Sequence, residues 1–398
     1  MTAAWMGESG QPYCQFGTAA AIAGDVDGDG YQDVVIGAAD YSDDAPDIGK
    51  AYLYLGSSSG LGSSPEWTAE SDIGKAYFGH AVSSAGDVDG DGLSDVVVGA
   101  RHYANGEEDE GRAFLYLGSS SSGLEGSAAW TAEGDQVGAD FGFAVASAGD
   151  VDGDGYGDVA VGAAHYDTGF GIEGAAFLYL GVSSGLEATA VWSETGGQDG
   201  SGFGSSLASA GDVDGDGHGD LLVGASGYDG GSTGEGMAGL FLGSPTGLAL
   251  GAAWATESDQ DGAGLGASVA SAGDVDGDGR GDFLLGAPYY DGGSEDEGAA
   301  FLYLGFAADS GGEDTGPGDS GAGDSGATPG DSSATPGDSG ATPGDSAATT
   351  DGTDSGSGAE ATDKGGGARC GTLSRPRWSL AVLGLGLGLG LRRAGSGR

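Results

Sequence analysis

Asp87-Val88-Asp89-Gly90-Asp91-Gly92-Leu93-Ser94-Asp95 places four carboxylates within nine residues. Unscreened, these charges repel one another, and no Lys or Arg recurs beside them to relieve the repulsion. A hard divalent cation with oxygen ligands is the simplest partner. Calcium fits best, because it accepts six to eight oxygens in flexible geometry, whereas magnesium holds its waters. Positions 1, 3, 5 and 9 supply side chains, position 7 offers its backbone carbonyl, and Gly at positions 4 and 6 permits the tight turn. The expected ligand sets are therefore Asp25, Asp27, Asp29, Tyr31 and Asp33; Asp87, Asp89, Asp91, Leu93 and Asp95; Asp150, Asp152, Asp154, Tyr156 and Asp158; Asp212, Asp214, Asp216, His218 and Asp220; and Asp274, Asp276, Asp278, Arg280 and Asp282. They imply about five calcium ions (Ca2+), one per loop. An EF-hand would need a bidentate Glu at position 12, where this chain has Ile36, Val98, Val161, Val223 and Leu285.

Outward from the loops, the period is 62 or 63 residues. Trp5, Trp67, Trp130, Trp192 and Trp254 recur in phase, as do Phe-Gly pairs at Phe16, Phe78, Phe141 and Phe203, with Leu265 in the last copy. Each unit holds short β-rich runs bounded by Gly and Asp turns, such as Phe141 to Ser147, Asp158 to Val161, Ala176 to Leu180 and a stretch around Trp192. The run Ala113 to Leu117 is apolar without alternation, which suits a strand covered on both faces. The expectation is an all-β chain: a β-propeller of four-stranded blades with five repeats visible, followed by a disordered tail. The last copy ends at Gly305 without a Trp strand, while Thr2-Ala3-Ala4-Trp5 matches Gly251-Ala252-Ala253-Trp254. Either the N-terminal strand completes the final blade, or the chain begins in the middle of a unit.

Composition excludes several classes. With 62 acidic residues against 12 basic ones, the formal charge of -50 repels nucleic acid and anionic membrane surfaces. The 90 glycines alone would suit a disordered polymer, but 6 Trp, 15 Tyr and 12 Phe supply a core. Cys14 and Cys370 sit in unlike contexts and imply no disulfide framework; Cys14, just before Phe16, reads as a buried thiol. No signal-peptide pattern follows Met1.

Phe-Gly, then Asp-x-Asp-Gly-Asp-Gly-x-x-Asp, then Gly-Ala after the next strand (Gly37-Ala38, Gly99-Ala100, Gly162-Ala163, Gly224-Ala225, Gly286-Ala287) resembles the FG-GAP repeat of integrin α-subunit propellers. The resemblance covers residues 1 to 305 and implies calcium in the loop between the first and second strand of each blade, with ligand recognition on the opposite face. Integrin propellers have seven blades, against five repeats in this chain.

Loops after the Gly-Ala pairs vary most between copies and would lie on that opposite face. Their in-phase tyrosines, Tyr41, Tyr103, Tyr166, Tyr228 and Tyr290, are candidates for ligand binding, although a Tyr in phase in every blade more often serves packing. FG-GAP-like propellers also occur attached to hydrolases and polysaccharide lyases, but the sequence holds no catalytic constellation. His80, His102, His165 and His218 do not recur in every copy, and no Gly-x-Ser-x-Gly, His-Glu-x-x-His or Cys-x-x-Cys motif is present. The expected function is a calcium-binding adhesion or ligand-binding protein, not an enzyme, whose partner is a protein or polysaccharide at the cell surface.

The expected domains are the propeller at 1–308, a solvated acidic spacer at 309–368 spanning about 45 Å as a coil, and a C-terminal anchor segment at 369–398. Cys370, the apolar run Ser379 to Leu391 and Arg392-Arg393 resemble myxobacterial C-terminal sorting tails, which implies that Cys370 marks processing or attachment. The run is short for a membrane-spanning helix, so the membrane is expected to be met only through this tail. An extracellular or cell-surface location follows from the same resemblance.

Overall fold

A computed structural model of the chain describes residues 3–43, 45–169 and 171–307. The spacer and the anchor segment with Cys370 lie outside the described residues. Every regular element described is a β-strand, in four four-stranded sheets, one three-stranded sheet and two small hairpins. Sheet 1 comprises Phe16–Gly24, Asp33–Ala38, Lys50–Tyr54 and Trp67–Glu70. Sheet 2 comprises Phe78–Gly86, Asp95–Ala100, Arg112–Tyr116 and Trp130–Glu133. Sheet 3 is built of Phe141–Gly149, Asp158–Ala163, Ala175–Tyr179 and Trp192–Thr195, and sheet 4 of Phe203–Gly211, Asp220–Ala225, Met237–Phe241 and Trp254–Glu257. Sheet 5 has Ser268–Gly273, Asp282–Ala287 and Ala299–Tyr303. Each sheet is an antiparallel meander, its strands hydrogen-bonded in chain order. The hairpins Gly118–Ser119 with Gly123–Leu124 and Gly181–Val182 with Gly185–Leu186 are too short to be read from propensity.

The second strand of each inner sheet, 2 to 4, is buried on both faces because sheets pack on both sides of it. One core joins Val26, Val35 and Leu53 of sheet 1 to Phe78, Val96, Val98 and Tyr116 of sheet 2. Equivalent cores join sheets 2 and 3, 3 and 4, and 4 and 5. The repeated Trp closes each of these contacts. Trp67 pairs with Leu53 in sheet 1, yet its ring meets Tyr116 of sheet 2 edge-on at 4.8 Å and its Nε1–H donates to Glu125 O at 3.0 Å. Trp130 and Trp192 repeat both contacts one sheet further on, reaching Tyr179 with Glu187 O, and Phe241 with Ala249 O. Such edge-on pairs add about 0.5–1.5 kcal/mol each beyond the area they bury.

The Phe-Gly and Gly-Ala pairs are two halves of one contact. Gly99, at the end of the second strand of sheet 2, lies against Gly142, which follows Phe141 in sheet 3. A Cβ on Gly99 would collide with the Gly142 carbonyl oxygen, and Gly142 itself holds φ near 83°. The ladder slips between Phe141 and Ala144 at this point, a bulge that lets adjacent sheets approach backbone to backbone. Gly37 with Gly79, Gly162 with Gly204 and Gly224 with Gly266 repeat the arrangement.

The first and last sheets differ from the inner ones. Leu53, Leu115, Leu178 and Leu240 are fully buried, whereas their counterpart in sheet 5, Leu302, is 47% exposed. Leu284, Leu304 and Val275 are exposed beside it. Sheet 5 gains no fourth strand among the described residues. The N-terminal segment lies instead against sheet 1, where Trp5 meets Tyr54 at 4.9 Å and donates from Nε1 to Gly62 O at 2.8 Å. That is the relation Trp67 has to sheet 2, so residues 3–7 stand where the fourth strand of a preceding sheet would stand. Cys14 is buried under this segment, with Ser9 Oγ 2.7 Å from its Sγ.

Candidate metal centres

The Asp loops all lie at one end of the sheets, because each joins a first strand to the antiparallel second strand. In the second loop, Asp87 Oδ1 accepts the N–H groups of Gly90 and Asp91 at 2.7 and 3.1 Å, and its Oδ2 accepts Gly92 N–H at 2.9 Å. Asp89 Oδ1 accepts Asp91 N–H, and Asp91 Oδ1 accepts Leu93 N–H. The fifth loop makes the same bonds around Asp274, Asp276 and Asp278. Side chains one, three and five of each nonapeptide are thus pre-oriented by the turn's own amides, without help from the rest of the protein.

Position 9 works over a longer range. Asp95 is 1% exposed, and its Oδ2 accepts Val88 N–H while its Oδ1 accepts Gly118 N–H beyond the third strand, both at 2.8 Å. Asp33, Asp158, Asp220 and Asp282 make the same pair of bonds. This carboxylate staples its loop to its own sheet. Position 7 carries a role that periodicity does not show. The side chains of Leu93, Tyr156, His218 and Arg280 each lie over the position 4 glycine of the preceding loop, namely Gly28, Gly90, Gly153 and Gly215. The glycines leave room for these side chains, and the loops form a continuous row.

Carboxylate oxygens of Asp25, Asp27 and Asp29 lie within 4.8 Å of one another, as do those of Asp87, Asp89 and Asp95, of Asp150, Asp152 and Asp158, and of Asp212, Asp214 and Asp220. The proton affinities record what this convergence costs. Burial pushes Asp95, Asp158 and Asp220 up to about 7, against the pull of their two backbone N–H bonds. Asp27, Asp89, Asp152 and Asp214 are raised as well, first by burial and further by the charges at positions 1 and 5. Asp282 moves the other way. Its surface is covered, but among the described residues no following sheet packs against sheet 5, so little protein surrounds the carboxyl and the N–H bonds from Gly305 and Val275 dominate. Anionic oxygens held together under burial, with no ion pair to a protein cation in loops one to four among the described residues, are a donor set that suits a hard divalent ion. The fifth loop differs, because Arg280 Nη1 pairs with Asp278 Oδ2 at 2.6 Å.

The repeated tyrosines lie at the opposite end, in the loops between second and third strands. Tyr103 is buried, donates to Asp72 Oδ1 and lies under the Arg112 guanidinium at 4.6 Å. Tyr166 and Tyr290 pack on Phe177 and Phe301, Tyr228 joins the core between sheets 3 and 4, and Tyr41 lies under Lys50 Nζ. Of the histidines, His165 Nδ1 sits 2.9 Å from Asp140 Oδ2 and His102 Nε2 3.6 Å from Asp140 Oδ1, while His80 packs against Phe143. His218 is set apart in its Asp loop.

Comparison with known proteins agrees with the repeat. The FG-GAP repeat model matches residues 141–179, 203–240 and 265–303, and the FG-GAP-like repeat model matches residues 25–98. The chain is similar to integrin alpha-4 of Xenopus laevis, 38% identical over 137 residues that make up 34% of this chain and 13% of that protein. It is similar to integrin alpha-PS2 of Drosophila melanogaster, 36% identical over 160 residues, and to human integrin alpha-IIb, 40% identical over 116 residues. These stretches cover 37% and 28% of this chain and 11% of each of the two relatives. The chain therefore spans about an eighth of the length of the relatives it matches.

Proposed function

We propose that the five sheets are blades of a calcium-loaded FG-GAP β-propeller that binds a ligand outside the cell, in adhesion or surface recognition, with calcium as a structural ion rather than a reactant. The observation that carries this reading is the recurrence of three Asp carboxylates within 4.8 Å in loops pre-shaped by their own amides. The repeated sheet-to-sheet contact through paired glycines and a shared Trp supports blades arranged in a ring. Likeness to integrin alpha chains supports adhesion and an extracellular setting. Among the described residues no helix is long and apolar enough to cross a membrane. Retention at the surface is assigned to the C-terminal tail, with Cys370 as its point of processing or attachment.

The carboxylates that would serve an acid–base reaction are engaged by the loops, so the chain is read as a binding protein and not an enzyme. Recognition is placed at the end opposite the Asp loops, where the segments around the packed Tyr41, Tyr103, Tyr166, Tyr228 and Tyr290 differ most between repeats. The partner is a cell-surface protein or polysaccharide. Immobilised full-length chain, probed with glycan arrays and cell-surface protein fractions in calcium and in chelator, should capture a partner that calcium removal releases. Turnover of a polysaccharide in the same preparations, abolished by a substitution at this loop face, would contradict the assignment.

A further inference from the structure

A second set of acidic side chains converges at the end of the sheets away from the Asp loops. Glu110 precedes the third strand of sheet 2 and is 0% exposed. Its Oε1 accepts Asn105 N–H at 2.5 Å, and its Oε2 is sealed from solvent with no hydrogen-bond partner. One carboxylate oxygen each from Glu110, Glu133 and Asp135 lies within 4.8 Å of the others. Glu133 ends the fourth strand of the same sheet, and Asp135 follows it in a left-handed turn at φ near 51°. Arg112 reaches Glu133 Oε1, offsetting one of the three charges.

Sheet 4 repeats the arrangement. Glu235 is 0% exposed, its Oε1 accepts N–H groups from Gly230, Gly231 and Ser232, and its Oε2 is again buried without a partner. Glu257 and Asp259 stand where Glu133 and Asp135 stand, and Met237 replaces Arg112, so among the described residues no ion pair offsets the charge there. Carboxylate oxygens of Glu235 and Glu257 meet over Gly230. Sheet 3 is an internal control: it keeps the buried Glu173 but has Thr195 and Gly197 in place of the other two acids. Both partner acids are present together or absent together in these three sheets. A buried carboxylate oxygen without a donor is costly to keep ionised, and a bound cation offsets that cost.

We infer that Glu110, Glu133 and Asp135 in sheet 2, and Glu235, Glu257 and Asp259 in sheet 4, are two further sites for a hard divalent cation such as calcium, separate from the Asp loops. The all-oxygen donor set excludes soft metals. The sites lie at the end where the variable loops gather, and they would fix the segments 101–111 and 228–236 to the ends of the fourth strands.

The test is bound calcium per chain after equilibrium dialysis of the full chain in calcium. Glu110→Gln and Glu235→Gln keep the Oε1 acceptor and should each lose one ion, the double variant two, and Glu173→Gln none. A folded double variant that retains every ion overturns the inference and leaves a carboxyl proton shared within each cluster. If a buried Gln prevents folding, Glu133→Gln and Glu257→Gln, further towards the surface, should lose the same single ions, and full retention in them also overturns it. Asp91→Ala acts on a loop site alone, so failure of the loop assignment would show as no loss in Asp91→Ala while the Glu variants still lose theirs.

Discussion

Removing calcium should destabilise the protein by an amount comparable to the stability of a whole domain. Each inner loop holds three carboxylates whose nearest oxygens lie within 4.8 Å, and burial has pushed the position 9 carboxyls of sheets 2, 3 and 4 up to about 7. An extracellular-type site has a dissociation constant near ~0.1 mM, so ~1 mM calcium stabilises the folded chain by about 1.4 kcal/mol per site. Five independent sites would contribute about 7 kcal/mol, within the range of 5–15 kcal/mol typical of a folded domain. Because the loops form a row in which each position 7 side chain rests on the neighbouring loop, emptying them should loosen all sheets together. The assay is thermal unfolding by near-ultraviolet circular dichroism in calcium, in magnesium and in chelator, at one fixed ionic strength because salt alone screens like charges. The melting temperature should fall by roughly 10 °C in chelator, rise with the logarithm of calcium concentration, and recover little in magnesium. A melting temperature indifferent to chelator would refute the reasoning and reduce the loops to ordinary Asp-Gly turns.

Gly99→Ala should cost about 1–3 kcal/mol, since the added methyl meets the Gly142 backbone and forces sheets 2 and 3 apart; Gly126→Ala, which has open space around it, should change stability by less than about 0.5 kcal/mol in the same unfolding assay. The histidines should separate in a nuclear magnetic resonance titration of the imidazole protons. Burial, then the Arg101 charge, lowers His80 to about 4, although Asp140 opposes them, whereas the hydrogen bond to Asp140 raises His165 above its ordinary 6.5. The stability linked to His80 is complete above about pH 6.5 and is lost as the pH falls towards about 4; that linked to His165 is complete below about pH 6.5 and is lost as the pH rises through its raised folded value. A His80 that titrates at or above 6.5 would contradict its half-buried placement beside Phe143 and Arg101.

Much of this architecture was legible because a repeat states each contact several times. The Asp spacing and the Trp recur five times and the Phe-Gly pair four times, with Leu265-Gly266 in the last copy, and each proved to have a fixed place: the turn, the seam between sheets and the bulge at the seam. What stayed hidden depends on contacts between units. Nothing in the pattern reveals that Gly99 faces Gly142 across two sheets, that Leu93 rests on Gly28, or that Asp95 reaches Gly118 beyond the third strand. The buried Glu110 and Glu235 escaped notice for a related reason. They recur in only part of the units, and their partner acids lie more than twenty residues away, so no local run of charge marks them. The ends of the repeat were also ambiguous, since the match of residues 2 to 5 with 251 to 254 fits a strand that completes the final sheet and a chain that begins in the middle of a unit; among the described residues Trp5 lies against sheet 1 and sheet 5 has three strands.

The claim on which the account rests is that the Asp loops bind calcium one ion at a time, each in its own cage. The most direct measurement is elemental analysis of the full chain after dialysis in millimolar calcium, for the native sequence and for Asp91→Ala. The native chain should carry at least four tightly held ions in loops one to four, with a weaker fifth where Arg280 already pairs with Asp278. Asp91→Ala should lower the count by one without unfolding the chain. A native chain that retains one ion or none would contradict the account.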